Sequence, residues 1–372
     1  MSRPSLSAHF RLPSRSPLTG AALALLLSSS AAAAQDSLAV ATPDPTPADL
    51  EVYALAVDWS RWADEDVVVL LDERILRVEE DGTHSFTLRS VRQARTDDMA
   101  RRLAEIGLPF DSGRERMTVD WARVVSADGD ILSGPVHAQV MDAPVNSSSP
   151  IYTDGKLVRA SLGAAEAGRL LDVRFTRHVN DPAISGDLLQ TMAFNGGTPV
   201  RRARFVIDAP EGMSPRIVEE NLSGPAAVTR GDGRVVREWR MADIEPVESE
   251  PFAATPNDVL MRVAVGGELG WDDVGRWYAP LLEGRMEVDA ELASQLEDIV
   301  GDATSRTDSL RALHRWVAQD IRDVSLSLGL GGYQPRLPSE VVESGLGDCK
   351  DKAVLFIALA RHPYAWGKWS SL

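Results

Sequence analysis

The sequence has one cysteine in 372 residues, six histidines, more acidic than basic side chains, and no apolar run of the roughly 20 residues that a bilayer-spanning helix needs. A single cysteine permits no internal disulfide. No two histidines stand in an HxH or HExxH pair, so metal binding has no support, and no cofactor is implied. With 39 Lys and Arg against 55 Asp and Glu, the formal net charge is −16, a surface that disfavours nucleic acid and anionic membranes.

What is present begins with Arg3, Arg11 and Arg15 ahead of "AALALLL" and "SSSAAAAQ". Basic residues, a short apolar run and then small residues read as a secretory signal peptide over residues 1–34, with cleavage after Ala34. Export to the periplasm or medium is expected, with no membrane span after signal removal. Losing those three arginines and no acid takes the net charge from −16 to −19. In an oxidising compartment a lone thiol needs burial or a function to account for it.

Residues 35–49 contain "ATPDPTPAD", whose alternating prolines read as an extended linker, so folding is expected to start near Leu50. From 50 to 265 the signals are β. Apolar and alternating arms flank Asp81-Gly82, Asp128-Gly129 and Asp232-Gly233, and Asp-Gly between extended arms marks a hairpin because type I′ turns need positive φ at both central residues. These turns predict an antiparallel β domain.

Beyond residue 270 the spacing is helical. In "TDSLRALHRWVAQDIRDV" the residues Leu310, Leu313, Val317 and Ile321 line one stripe. "SLSLGLGGYQPRLPSE" follows, where Gly329, Gly331, Gly332, Pro335 and Pro338 point away from regular structure. Then comes "GLGDCKDKA" with Cys349, and behind it "AVLFIALA", apolar on every face and expected to be a buried helix. Asp348 is a good N-cap and Asp351 lies three positions on, which puts Cys349 in the first turn, where aligned N–H groups favour an anion.

"GDCKDKA" ahead of an apolar helix resembles the nucleophile segment of bacterial transglutaminase-like proteins, and the resemblance extends upstream through "LRALHRWVAQDIRDV". The β region, with its Asp-Gly turns and "EPVESEPFAATPNDVLMRV", is similar to domain of unknown function 3857. The resemblance implies an α+β fold: an N-terminal antiparallel β-sandwich at 50–265, then at 270–372 the helical first part of a papain/transglutaminase-like domain. It puts Cys349 at the nucleophile position of a thiol acyl-transferase or peptidase, with protein, peptide or cell-envelope polymer as substrate.

In that family a histidine and an aspartate on later strands complete the site. After Cys349 this sequence has only His362, thirteen positions on and, along a helix, roughly 15–20 Å away. A general base must come within about 3 Å or act through one water. His314 is the other candidate and reads as a partly buried packing residue. His84, His137 and His178 fall in the β region, and Tyr333 and Gln334 are candidates to line a cleft. The tail "RHPYAWGKWSSL" departs from the family pattern and reads as a truncation after the nucleophile helix, so this chain is expected to be inactive and to leave an apolar patch on that helix. The alternative is a non-catalytic extracytoplasmic binding module built on the β-sandwich.

Overall fold

Alternation of apolar and polar residues builds the β region. Strand Val67–Val78 pairs antiparallel with His84–Ala94, which pairs with Leu170–Val179, which pairs with Glu115–Val125. On its other side Val67–Val78 runs parallel to Val200–Pro210, and Arg234–Ile244 and Ala227–Gly231 complete a seven-stranded sheet that is antiparallel everywhere else. This computed structural model describes residues 37–143, 151–184, 186–247, 259–301 and 303–365. The signal peptide read at residues 1–34, most of "EPVESEPFAATPND" and the end of the tail lie outside the described residues.

Two smaller antiparallel sheets pack on the large one. A four-stranded sheet (Ser37–Val40, Val136–Asp142, Gly155–Ser161 and Glu105–Asp111) buries Ala138, Val158 and Ala160 with Ala122, Val124 and Leu171. A three-stranded sheet (Gln190–Ala193, Arg262–Gly266 and Arg216–Glu220) buries Met192, Val263 and Val265 with Leu76, Phe205, Ile207 and Trp239. Val125 and Leu170 point to the opposite face, as the two-residue period requires, and meet helix α1 (Pro47–Tyr53) through Val52 and Tyr53.

The Asp-Gly turns behave differently from one another. Asp232 and Gly233 both take positive φ, 53° and 72°, the two-residue hairpin turn. At residues 79–83 only Gly82 does so, and the Asp81 carboxylate accepts from the Thr83 amide and hydroxyl, giving a longer loop between paired strands. Gly129 also takes positive φ, but beyond it only a Val125–Ile131 bridge forms, because Val136–Asp142 leaves for the four-stranded sheet.

The proline-rich stretch is not a free tether. Ser37–Val40 pairs with Val136–Gln139, Thr46 caps α1 with Pro47 as its first residue, and the Pro43 carbonyl accepts from Arg123. A buried charge network explains why. Asp172, with no exposure, accepts from Arg89, Arg123, the Tyr53 hydroxyl (2.6 Å) and the Trp121 indole (3.1 Å), while Asp49 of α1 pairs with both arginines. Two cations and two anions balance, so the N-terminal segment supplies half of the negative charge that lets both arginines be buried.

The C-terminal part is helical: after α2 (Asp97–Ala104) in the β region come α3 (Trp271–Tyr278), α4 (Ala290–Val300), α5 (Arg306–Asp320), α6 (Pro338–Ser344) and α7 (Cys349–Arg361). Its core joins Leu292 and Leu296 of α4, Leu313 and Val317 of α5, Ile321, Val341 of α6, and Leu355 and Leu359 of α7. Leu310, expected on the buried stripe, is half-buried. The glycine-rich segment, expected to lack regular structure, contains a short strand, Ser325–Ser327, a 3₁₀ turn at Gly329–Gly332, and the start of α6 at Pro338.

Candidate active site

The path into Cys349 is fixed residue by residue. Gly345 ends α6 with φ 64° and ψ 15°, the left-handed conformation that glycine adopts without a Cβ penalty. Leu346–Gly347 then pairs parallel with Arg322–Asp323 at the end of α5, and the Arg322 amide donates to the Gly345 carbonyl at 2.8 Å. A Cβ on Gly347 would lie 3.2 Å from Val341 Cγ1 and from Asp351 Cβ and 3.3 Å from Ile321 Cγ2, so this glycine is set by close packing.

Asp348 follows as the N-cap, accepting from the Lys350 amide at 3.1 Å and the Asp351 amide at 3.2 Å, while the Asp351 carboxylate accepts from the Asp348 amide. Cys349 is thus the first helical residue, and its side chain is exposed. The neighbouring charges are already matched: Lys350 closes onto Asp348, and Lys352 Nζ lies 3.2 Å from Asp323 Oδ2. Arg336, which no local pattern marked, donates from its amide and Nε to Asp351 (2.9 and 3.2 Å) and from its guanidinium to the Leu346 carbonyl. It ties the loop before α6 to the first turn of α7.

Helix α7 is buried on one side only. Val354, Leu355, Ala358 and Leu359 are buried, whereas Cys349 and Ala353 are exposed and Phe356, Ile357 and Ala360 are half-buried along the same face. The expectation of a helix buried all round is corrected, and with it that of a broad exposed patch. Small residues occupy the fully open positions, and the large side chains on that face are half-covered.

The described histidines do not gather at the thiol. His362 caps the far end of α7, and its Nδ1 accepts from the Tyr364 amide. His314 on α5 is exposed rather than partly buried; its ring meets Phe356 edge-on, with centroids 6.1 Å apart. Phe356 stands seven residues along the helix from Cys349, roughly 10 Å of rise. His84 is buried beside the Gly82 carbonyl, and burial first, then the charge of Arg177, holds its pKa below 6.5. His137 is exposed and His178 half-buried on separate strands. Among the described residues no three His, Cys, Asp or Glu side chains form a metal-type cluster, and no helix is long and apolar enough to cross a membrane.

Tyr333 and Gln334 lie before α6. Tyr333 packs edge-on against Trp277 at 5.1 Å and lines a cleft of about 290 Å³ together with His84, Arg114, Arg177 and Leu189; Gln334 donates to the Leu281 carbonyl.

With this geometry in place, two family models match the chain. Residues 80–248 are a domain of unknown function with solved structure, DUF3857, and residues 293–363 belong to the transglutaminase-like superfamily. The chain therefore joins a DUF3857 domain to a transglutaminase-like region. A crystal structure of a candidate protease from Parabacteroides distasonis ATCC 8503 matches with a TM-score of 0.61 and 13% identity, over 79% of this chain and 58% of that one. At that identity the likeness shows the fold, and the chain spans little more than half the length of that protein. The M1 zinc metallopeptidase from Deinococcus radiodurans gives a TM-score of only 0.29 at 14% identity, over 54% of this chain and 42% of that one. No curated protein matches the sequence.

Proposed function

We propose that the chain is an exported transglutaminase-like protein of the thiol acyl-transferase or peptidase type, with Cys349 at the nucleophile position. The observation that carries this reading is the presentation of the thiol: exposed, first in α7, behind an Asp348 cap and a closely packed Gly347. A thiolate there would attack a carbonyl carbon, with the Cys349 backbone N–H, rather than the Lys350 and Asp351 amides that Asp348 already engages, offered to the developing oxyanion. Protein, peptide or cell-envelope polymer are the substrate classes this chemistry serves, and no cofactor is required for it.

Acyl transfer also needs a proton acceptor for the thiol and a donor for the leaving amine, a contribution of about 10²–10⁴ in rate. His362 is held at the opposite end of α7 and His314 is engaged by Phe356, which stands two turns along the helix from Cys349, so Cys349 is read as a nucleophile without a base among the described histidines. The test compares the chain with Cys349→Ala on amine-incorporation and peptide-hydrolysis substrates. Equal background rates are expected; a Cys349-dependent rate would overturn the reading and direct attention to His314.

Export rests on residues 1–34. The intact mass of protein recovered from an extracytoplasmic fraction should begin at Gln35, and a full-length cytoplasmic product would refute export.

A second reading, a non-catalytic extracytoplasmic binding module, is favoured by the clefts of the β region, one of about 430 Å³ beside Met213 and Leu188. It requires the β region to fold alone. A fragment for that test must start at Ser37 rather than Leu50, because Pro43 and Asp49 hold Arg123, and it should unfold cooperatively.

A further inference from the structure

The loop between α5 and α6 is anchored at both ends to the start of α7. At one end Arg322–Asp323 pairs with Leu346–Gly347; at the other, Arg336 holds Asp351 and the Leu346 carbonyl. Between these anchors the loop is held by the β domain instead. Ser325–Ser327 runs parallel to Ile151–Thr153, in register Ser325 to Ile151, Leu326 to Tyr152 and Ser327 to Thr153. The next residue of the β domain, Asp154, accepts from the Gly329 amide through Oδ2 at 2.6 Å. Arg114 then covers the Tyr333 ring, its guanidinium carbon 5.2 Å from the centroid.

These contacts come from two turns of the β domain that are locked to each other. The Asp154 carbonyl accepts from the Ser112 amide at 3.1 Å and the Ser112 hydroxyl at 2.7 Å, so the turn carrying Arg114 and the turn carrying Asp154 move together. One rigid support therefore reaches the loop at three successive points, and the loop in turn frames the residues on either side of Cys349.

We propose that Arg114 and Asp154 of the β domain are positioning residues for the Cys349 site, holding the loop at 325–334 in the arrangement that receives an extended substrate beside the thiol. The inference deepens the reading of Cys349 as a nucleophile and rests on it. The β domain, on this account, completes the substrate-facing wall of the transglutaminase-like region. Neither residue touches the thiol or its helix cap, so their removal leaves the thiol's own reactivity alone and changes how a peptide is received.

That separation is measurable. Cys349 in the full chain is labelled with iodoacetamide, which reports on the thiol, and with a peptidyl chloromethyl ketone carrying a blocked dipeptide, which also needs the loop. In Arg114→Ala and Asp154→Ala the ratio of peptidyl to iodoacetamide rate should fall about fivefold, and hydrogen exchange of residues 325–334 should rise about tenfold. Asp154→Asn keeps an acceptor for the Gly329 amide and should restore both values. A ratio within about twofold of the parent chain in both alanine variants would overturn the proposal, because a misplaced wall costs more than that. If the parent thiol reacts with the peptidyl reagent no faster than a free cysteine peptide, the nucleophile reading fails instead. In that case loop exchange still decides the contact: a rise confined to 325–334 supports it, and unchanged exchange overturns it.

Discussion

His314 meets Phe356 edge-on, with ring centroids 6.1 Å apart and planes at 88°, and this contact ties the histidine of α5 to a side chain two turns along α7 from Cys349. An edge-to-face pair contributes about 0.5–1.5 kcal/mol beyond its burial, and here one partner is exposed. Replacement His314→Ala should therefore cost no more than about 1 kcal/mol by chemical denaturation. It should leave the labelling rate of Cys349 unchanged. A slowed labelling rate would mean that His314 assists the thiol.

Gly347 is the tightest point of the site. A methyl group added there meets Val341, Asp351 and Ile321 at 3.2–3.3 Å, all of them on elements that define the start of α7. Overpacking of this kind costs about 1–3 kcal/mol, and Gly347→Ala should show that loss in urea unfolding. Because the strain falls on Asp351, the cap of α7 should loosen as well, visible as faster exchange of the Lys350 and Asp351 amides. No loss of stability would show that the chain can shift there freely.

Asp172 carries the charge balance of the β domain. Burial acts to raise its pKa, and hydrogen bonds and charge from Arg89, with help from Tyr53 and Arg123, overcome that and hold it below 3.8. Removing one partner of a buried ion network leaves the others uncompensated, at about 3–5 kcal/mol. Asp172→Ala should lose that much, and residues 43–53 should become protease-sensitive, since Arg123 and Tyr53 lose their common acceptor. Cleavage no faster than in the parent chain would place the anchor elsewhere.

The pH profile follows from the same groups. Asp172 and Asp49 have depressed folded-state pKa values, so their contribution is present above 3.8 and is lost as pH falls through the lower folded values. His84 is depressed by burial: above 6.5 it costs nothing, and as pH falls below that the unfolded chain takes up the proton that the fold refuses. Tyr53 is raised, chiefly by burial and then by the Asp172 carboxylate, so its contribution is complete below 10.0 and lost at higher pH. Thermal midpoints should be flat from about pH 7 to 9, fall in two acid stages, and fall again in alkali. His84→Gln should shrink the first acid stage and leave the second, the remainder of the first coming from His178, which burial and then the charge of Arg116 also hold below 6.5; an unaltered profile in that variant would contradict the assignment.

The sequence made the division into β and helical parts legible, because the period changes near residue 270, and it placed Cys349 after its cap because Asp348 and Asp351 are local signals. Three features were not legible. The proline-rich stretch is held by Arg123 and Arg89, which lie some 40 to 80 residues away and whose need for acid partners arises only in the folded sheet. The strand at Ser325–Ser327 is too short to announce itself and forms because Ile151–Thr153 is there to pair with it. The open face of α7 escaped notice because "AVLFIALA" is apolar all round, and apolarity says where a helix tolerates burial, not which side has a neighbour.

On the proposed reading, Cys349 is presented as a nucleophile with no histidine of the described residues positioned as its base. One measurement tests it most directly: in a single native preparation, iodoacetamide incorporation at Cys349 is followed by peptide mass alongside release of ammonia from a glutamine-containing peptide. Complete labelling of the folded chain is expected, with ammonia release equal to that of Cys349→Ala. Labelling only after unfolding, or ammonia release that disappears with the thiol, would contradict it.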